Sequence, residues 1–106
     1  MSKKINRKIK QYLKEINSLL PIKYAYVFGS YMNKHYDPLA SDIDIAIFSN
    51  TINIKNRHDY TKMCIKSIFK YHLDIQPLLF NTRDLVATGN TFIEQEIKTR
   101  GHKIWG

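Results

Sequence analysis

Asp42-Ile43-Asp44 opens an apolar run that continues through Ile45-Ala46-Ile47-Phe48. A third carboxylate, Asp74, stands in a second such run, Leu73-Asp74-Ile75-Gln76-Pro77-Leu78-Leu79-Phe80. Upstream, Gly29-Ser30 closes the run Tyr24-Ala25-Tyr26-Val27-Phe28, and eleven residues separate Ser30 from Asp42. In an extended segment alternate residues share a face, so Asp42 and Asp44 project to one side about 7 Å apart. Ile43 between them points to the core and fixes the rotation of the strand. Two like charges so placed raise each other's proton affinity. A divalent cation reverses that relationship. Mg²⁺ takes few carboxylates and completes its shell with water and phosphate oxygens.

Gly29 and Ser30 supply the other half of such a site. A missing side chain lets a phosphate approach the backbone closely. The N–H groups of a following helical turn would face the anion, and the Ser30 hydroxyl would donate to a terminal phosphate. Each part has a plain alternative: a solvated turn for Asp-x-Asp, an ordinary turn for Gly-Ser, an exposed strand position for Asp74. Together, a glycine loop after one strand-like run and carboxylates on two others point to metal-dependent nucleotide chemistry. A carboxylate within a run like that of Asp74 needs a partner if it is buried, and His72 and Gln76 share its face. Lys34 and His35, between the two motifs, are further candidates for phosphate contacts.

The elements that must hold these residues follow from periodicity. Ile5, Ile9, Tyr12, Leu13, Ile16 and Leu20 recur on one face, so residues 3–19 are predicted to form an amphipathic helix ended by Pro21. Residues 22–28, 42–48 and 72–80 are predicted strands. Pro77 places the later part of the third at a sheet edge or outside the ladder. Asn56 with Asp59 suggests a capping box for a helix running to about Tyr71, and Thr91 with Glu94 suggests another. Gly101 suits a left-handed cap for the latter helix near Arg100, and residues 102–105 would add a short strand. Residues 30–41 show no long helix, and Asp37-Pro38 marks a turn. The order helix, strand, strand, helix, strand, helix implies an α/β or α+β mixed sheet with flanking helices.

At 106 residues the chain is expected to be one domain, 1–106. Its one cysteine, Cys64, excludes an internal disulfide and fits a reducing, cytoplasmic setting. No stretch approaches the ~20 apolar residues of a membrane span. The net charge of +8 suits a polyanionic partner. Yet thirteen of the seventeen basic residues are Lys, a bias that an AT-rich genome also produces. Lys3, Lys4, Arg7, Lys8, Lys10 and Lys14 all precede the first acid, Glu15, and read as the solvated face of the first helix.

Gly29-Ser30, Ser41-Asp42-Ile43-Asp44, Asp74 and the closing pattern Phe92-Ile93 through Ile97 to Gly101 and Ile104 resemble the minimal nucleotidyltransferase family of the DNA-polymerase-β-like superfamily. The resemblance covers residues 20–105 and implies a small α/β nucleotidyltransferase core. It implies that Asp42 and Asp44 bridge two Mg²⁺ ions, and that Asp74 binds the catalytic ion and helps activate the acceptor hydroxyl. Gly29 and Ser30 would hold the β- and γ-phosphates of ATP. Small members of this kind resemble antitoxins paired with a separate HEPN-type ribonuclease toxin, which implies transfer of AMP to a tyrosine of that toxin. Two departures stand out. The loop from Ser30 to Asp42 is one residue longer than is usual, and Tyr31-Met32-Asn33 stands where family members often carry Arg-Gly. Alternatives are a nucleotidyltransferase acting on an RNA end or a small-molecule hydroxyl, and a binding-only antitoxin with a decayed site.

Overall fold

The computed structural model describes residues 3–29, 42–87 and 89–106. Ser30, Lys34, His35 and the Asp37-Pro38 turn lie outside the described residues. Helix α1 spans Lys3–Leu19, followed by strands β1 (Tyr24–Phe28) and β2 (Ile43–Phe48). Helix α2 (Arg57–Lys66) runs into a 3₁₀ turn at Ile68–Tyr71 and then strand β3 (Ile75–Phe80). A one-turn helix α3 (Arg83–Val86), a π-helix (Ile93–Thr99) and strand β4 (His102–Trp105) complete the order. Among the described residues the strands form one sheet in the order β3-β2-β1-β4. β2 is antiparallel to β1 and parallel to β3, and β1 is antiparallel to β4. The mixed sheet with flanking helices is the architecture expected from the sequence.

Strand alternation sorts the core onto the two faces of the sheet. Ala25, Val27, Ile43, Ile45, Ile47, Ile75 and Leu79 pack with Ile9, Leu13 and Ile16 of α1 and Cys64 of α2. Phe28, Ala46 and Phe48 pack on the other face with Leu85 and with Ile93 and Ile97 of the π-helix. The aspartates have the parity of this second face. Tyr12, fully buried, ties α1 to α2 by donating its hydroxyl to the Cys64 carbonyl at 2.9 Å.

Several local expectations are corrected. β3 begins at Ile75, so Asp74 is exposed just ahead of the strand rather than within it. Its charge therefore carries no burial penalty. Asn56 does stand at the start of α2, but its side chain does not cap the helix. Its Oδ1 accepts from Asn53 N at 2.8 Å and its Nδ2 donates to Thr51 O at 2.8 Å, so the preceding turn consumes it. Asn90, not Thr91, serves the last helical segment, accepting from Ile93 N at 3.2 Å, while Glu94 pairs with Lys98 at 3.1 Å. Gly101 lacks the left-handed conformation expected of a cap. It is required sterically instead: a Cβ there would collide with the Ile97 carbonyl oxygen.

Pro77 lies on the edge strand, as its missing donor predicts. Ile43 N bonds to Asp74 O at 2.7 Å and Ser49 N to Phe80 O at 3.0 Å. Residues of that parity therefore turn their polar groups toward β2. Pro77 has the opposite parity, so its absent N–H falls on the open side and blunts the edge against another strand.

Candidate active site at one end of the sheet

The strand directions bring Gly29, Asp42, Asp44 and Asp74 to one end of the sheet. β1 runs toward Gly29, while β2 and β3 start from Asp42 and Asp74. The register Ile43↔Ile75 sets Asp42 and Asp74 side by side, one residue before the ladder begins. Their side chains are hydrogen-bonded to one another. That contact, the charge of Asp74, partial desolvation and the charge of Asp44 together raise the Asp42 carboxyl above the usual carboxylate range. Gln76 Nε2 reaches Asp74 Oδ1 at 3.4 Å.

Asp44 sits deeper. It pairs with Phe28 on one side and with Gln76 on the other. Partial burial raises its carboxyl above the ordinary value. Gly29 lies against it with φ +75°, a conformation that L side chains rarely adopt. A Cβ at Gly29 would collide with Asp44 Oδ2 and lie 3.3 Å from its Cγ. The glycine therefore has a reason the sequence did not reveal: it clears space for a carboxylate as well as for any phosphate.

Among the described residues no three His, Cys, Asp or Glu side chains form a ready-made metal cage. Asp42 meets Asp74, and Asp44 stands toward Gly29. The donor set still fits a hard divalent cation. It consists of carboxylate oxygens, and those of Asp42 and Asp74 are in side-chain contact. Mg²⁺ characteristically takes one or two carboxylates and completes its shell with water and substrate phosphate.

The family model for the nucleotidyltransferase domain matches residues 7–101. The chain belongs to the nucleotidyltransferase domain family. The match starts within α1 and ends at Gly101, so it takes in all of the aspartates and most of the first helix. No curated protein matches the chain. A crystal structure of the toxin-antitoxin MntA-HpeT, in mutant form, is similar at a TM-score of 0.56 and 23% identity, over 95% of this chain and 72% of that one. At that identity the likeness is one of fold, and it is the fold of this nucleotidyltransferase domain.

The sequence missed one feature of this end of the molecule. Beside Asp74, a groove of about 220 Å³ runs along the open edge of β3, lined by Ile65, Ile68, Phe69, Ile75, Gln76 and Pro77. The signal was present as Lys62-Ile65-Lys66-Phe69, a set at i, i+3, i+4, i+7 exposed along α2 and the 3₁₀ turn that follows it.

Proposed function

We propose that this nucleotidyltransferase transfers AMP from ATP to a hydroxyl of a separate protein, and that it is the antitoxin of a two-protein system whose toxin is a HEPN-type ribonuclease modified on tyrosine. The observation that carries the reading is the pairing of Asp42 with Asp74 at the sheet end shared with Gly29 and Asp44. Family membership supports nucleotidyl transfer, and the fold shared with a toxin-antitoxin structure supports the setting.

Asp42, Asp44 and Asp74 would hold Mg²⁺, two ions in the arrangement the family uses, which when bound neutralise the phosphates and polarise the α-phosphorus. Gly29, with Ser30 beyond it, would hold the terminal phosphates. The raised carboxyl of Asp42 binds protons in competition with a cation, so occupancy is expected to weaken at acid pH. Asp74, exposed at the edge of the site, would accept the proton of the attacking hydroxyl. The acceptor oxygen bonds to the α-phosphorus, the bond to the leaving pyrophosphate breaks, and that proton passes to the Asp74 carboxylate. Transfer to an RNA end or a small-molecule hydroxyl would use the same residues.

The test is co-expression with the protein encoded in the neighbouring reading frame, followed by intact-mass spectrometry. Wild type should add one or more AMP groups to a tyrosine of that protein, and Asp42→Asn and Asp44→Asn should add none while still binding it. If toxicity is fully neutralised by both variants and no adduct forms even with wild type, the chain acts by binding alone.

A further inference from the structure

We infer that the edge groove beside Asp74 seats the acceptor segment of the protein partner, and that this segment is apolar and acidic around its reacting hydroxyl. The inference rests on the nucleotidyl-transfer reading above and adds where the acceptor lies and what chemistry selects it.

Direction of attack comes first. Phosphoryl and nucleotidyl transfer place the attacking and leaving oxygens roughly in line. Gly29 follows the end of β1 and so lies on the β1 side of Asp42, and in the proposed function it holds the leaving phosphates there. The acceptor must therefore arrive from the opposite side, which is β3. Asp74 is the carboxylate on that side, and it also lines the groove. The groove is thus continuous with the reacting position.

Its surface specifies the occupant. Phe69 is 79% exposed and Ile65 47% exposed. Phe69 is a large exposed ring and stands within reach of Asp74 along one groove. Aromatic side chains so placed are the usual anchors of protein interfaces. Lys62 and Lys66 are exposed on the same stretch of α2, and no acid occurs between Asp59 and Asp74. A segment that covers Phe69 and Ile65 with apolar side chains and answers the lysines with carboxylates fits both properties. Pro77 removes the outward N–H of the edge, so the segment binds through side chains and does not extend the sheet.

The test uses the neighbouring-frame protein as acceptor and measures AMP incorporation against its concentration. Phe69→Asp should raise the KM for that acceptor about tenfold or more, as loss of an interface anchor does. Lys66→Glu should raise it by a smaller factor that shrinks as salt increases. Phe69→Leu should stay near wild type. The melting-temperature rise given by Mg²⁺-ATP should be unchanged in all of these variants, which shows them folded with the nucleotide end intact. Val86→Asp, at an equally solvent-facing position (77% exposed) beyond the far end of β3, should leave KM unaltered. A wild-type KM in Phe69→Asp overturns the groove assignment and leaves the transfer reading standing. Absence of any adduct with wild type overturns both.

Discussion

Asp42 and Asp74 hydrogen-bond to each other through their side chains, at the point where Ile43 N donates to the Asp74 carbonyl at 2.7 Å. The backbone bond fixes the approach of two acidic residues that would otherwise repel. Their proximity raises the Asp42 carboxyl above the usual carboxylate range, so a proton there relieves the repulsion. A divalent cation would answer it as well and with more charge. The same geometry therefore links metal, proton and stability.

Metal-linked stability follows directly. A ligand that binds only the folded state adds RT ln(1 + [L]/Kd), about 2.7 kcal/mol at a hundredfold excess over Kd. For a domain of this size that is a rise of about 10 °C in Tm. We expect Mg²⁺ with ATP to produce such a rise in differential scanning fluorimetry. Asp42→Asn should remove most of it and raise the Tm of the metal-free protein. Equal ligand-induced shifts in wild type and variant would exclude Asp42 from the metal site.

The pH dependence has a definite sign. Both Asp42 and Asp44 are raised above 3.8 in the folded protein. Between that value and their folded values the native state binds more protons than the unfolded chain, so their contribution to stability falls as pH rises. In chelator-treated protein, Asp44→Asn should therefore be more stable than wild type at pH 7. The difference should close as pH is lowered through the carboxylate range. Urea titrations of both proteins at pH 4 and pH 7 would read it, and a gap that widens on acidification would contradict the assignment.

A third expectation concerns the core. The Cys64 thiol is buried, and desolvation pushes it up to about 11, with the Tyr12 hydrogen bond partly opposing. At pH 8 the thiolate fraction is then on the order of one in a thousand. Ellman's reagent should leave native protein unmodified and titrate one thiol in guanidinium. Tyr12→Phe should cost roughly 1 kcal/mol through loss of the buried bond to the Cys64 carbonyl. Fast labelling of the native protein would show that α1 and α2 part more readily than their packing implies.

The sequence disclosed what periodicity can carry. The α1 face of Ile9, Leu13 and Ile16, the alternation of Ile43, Ile45 and Ile47, and the edge position of Pro77 all stand as expected. Local capping was less legible, because Asn53, Asn56 and Asn90 offer interchangeable side-chain oxygens and only tertiary placement decides which backbone N–H each meets. The gathering of Gly29, Asp42, Asp44 and Asp74 at one sheet end was legible from motif spacing. The direct Asp42–Asp74 contact was not, since it depends on the β2–β3 register. The groove at Phe69 escaped notice because exposed apolar residues at helical spacing look like core until the opposite face is seen to be buried.

Gly29 provides the sharpest test of how backbone and site depend on each other. Its φ of +75° disfavours any L side chain by about 1–2 kcal/mol. A Cβ would in addition collide with Asp44 Oδ2, and Asp44 is held in place by its pairing with Phe28 and Gln76. Relief requires either the carboxylate to swing away or the end of β1 to shift. We therefore expect Gly29→Ala to lower stability by about 2 kcal/mol and also to weaken the Mg²⁺-ATP shift. Combining it with Asp44→Ala should restore part of the lost stability, because the colliding oxygen is gone, and should not restore the nucleotide response. Additive losses in that double variant would show that the glycine is needed for its backbone conformation alone and not for its clearance of Asp44.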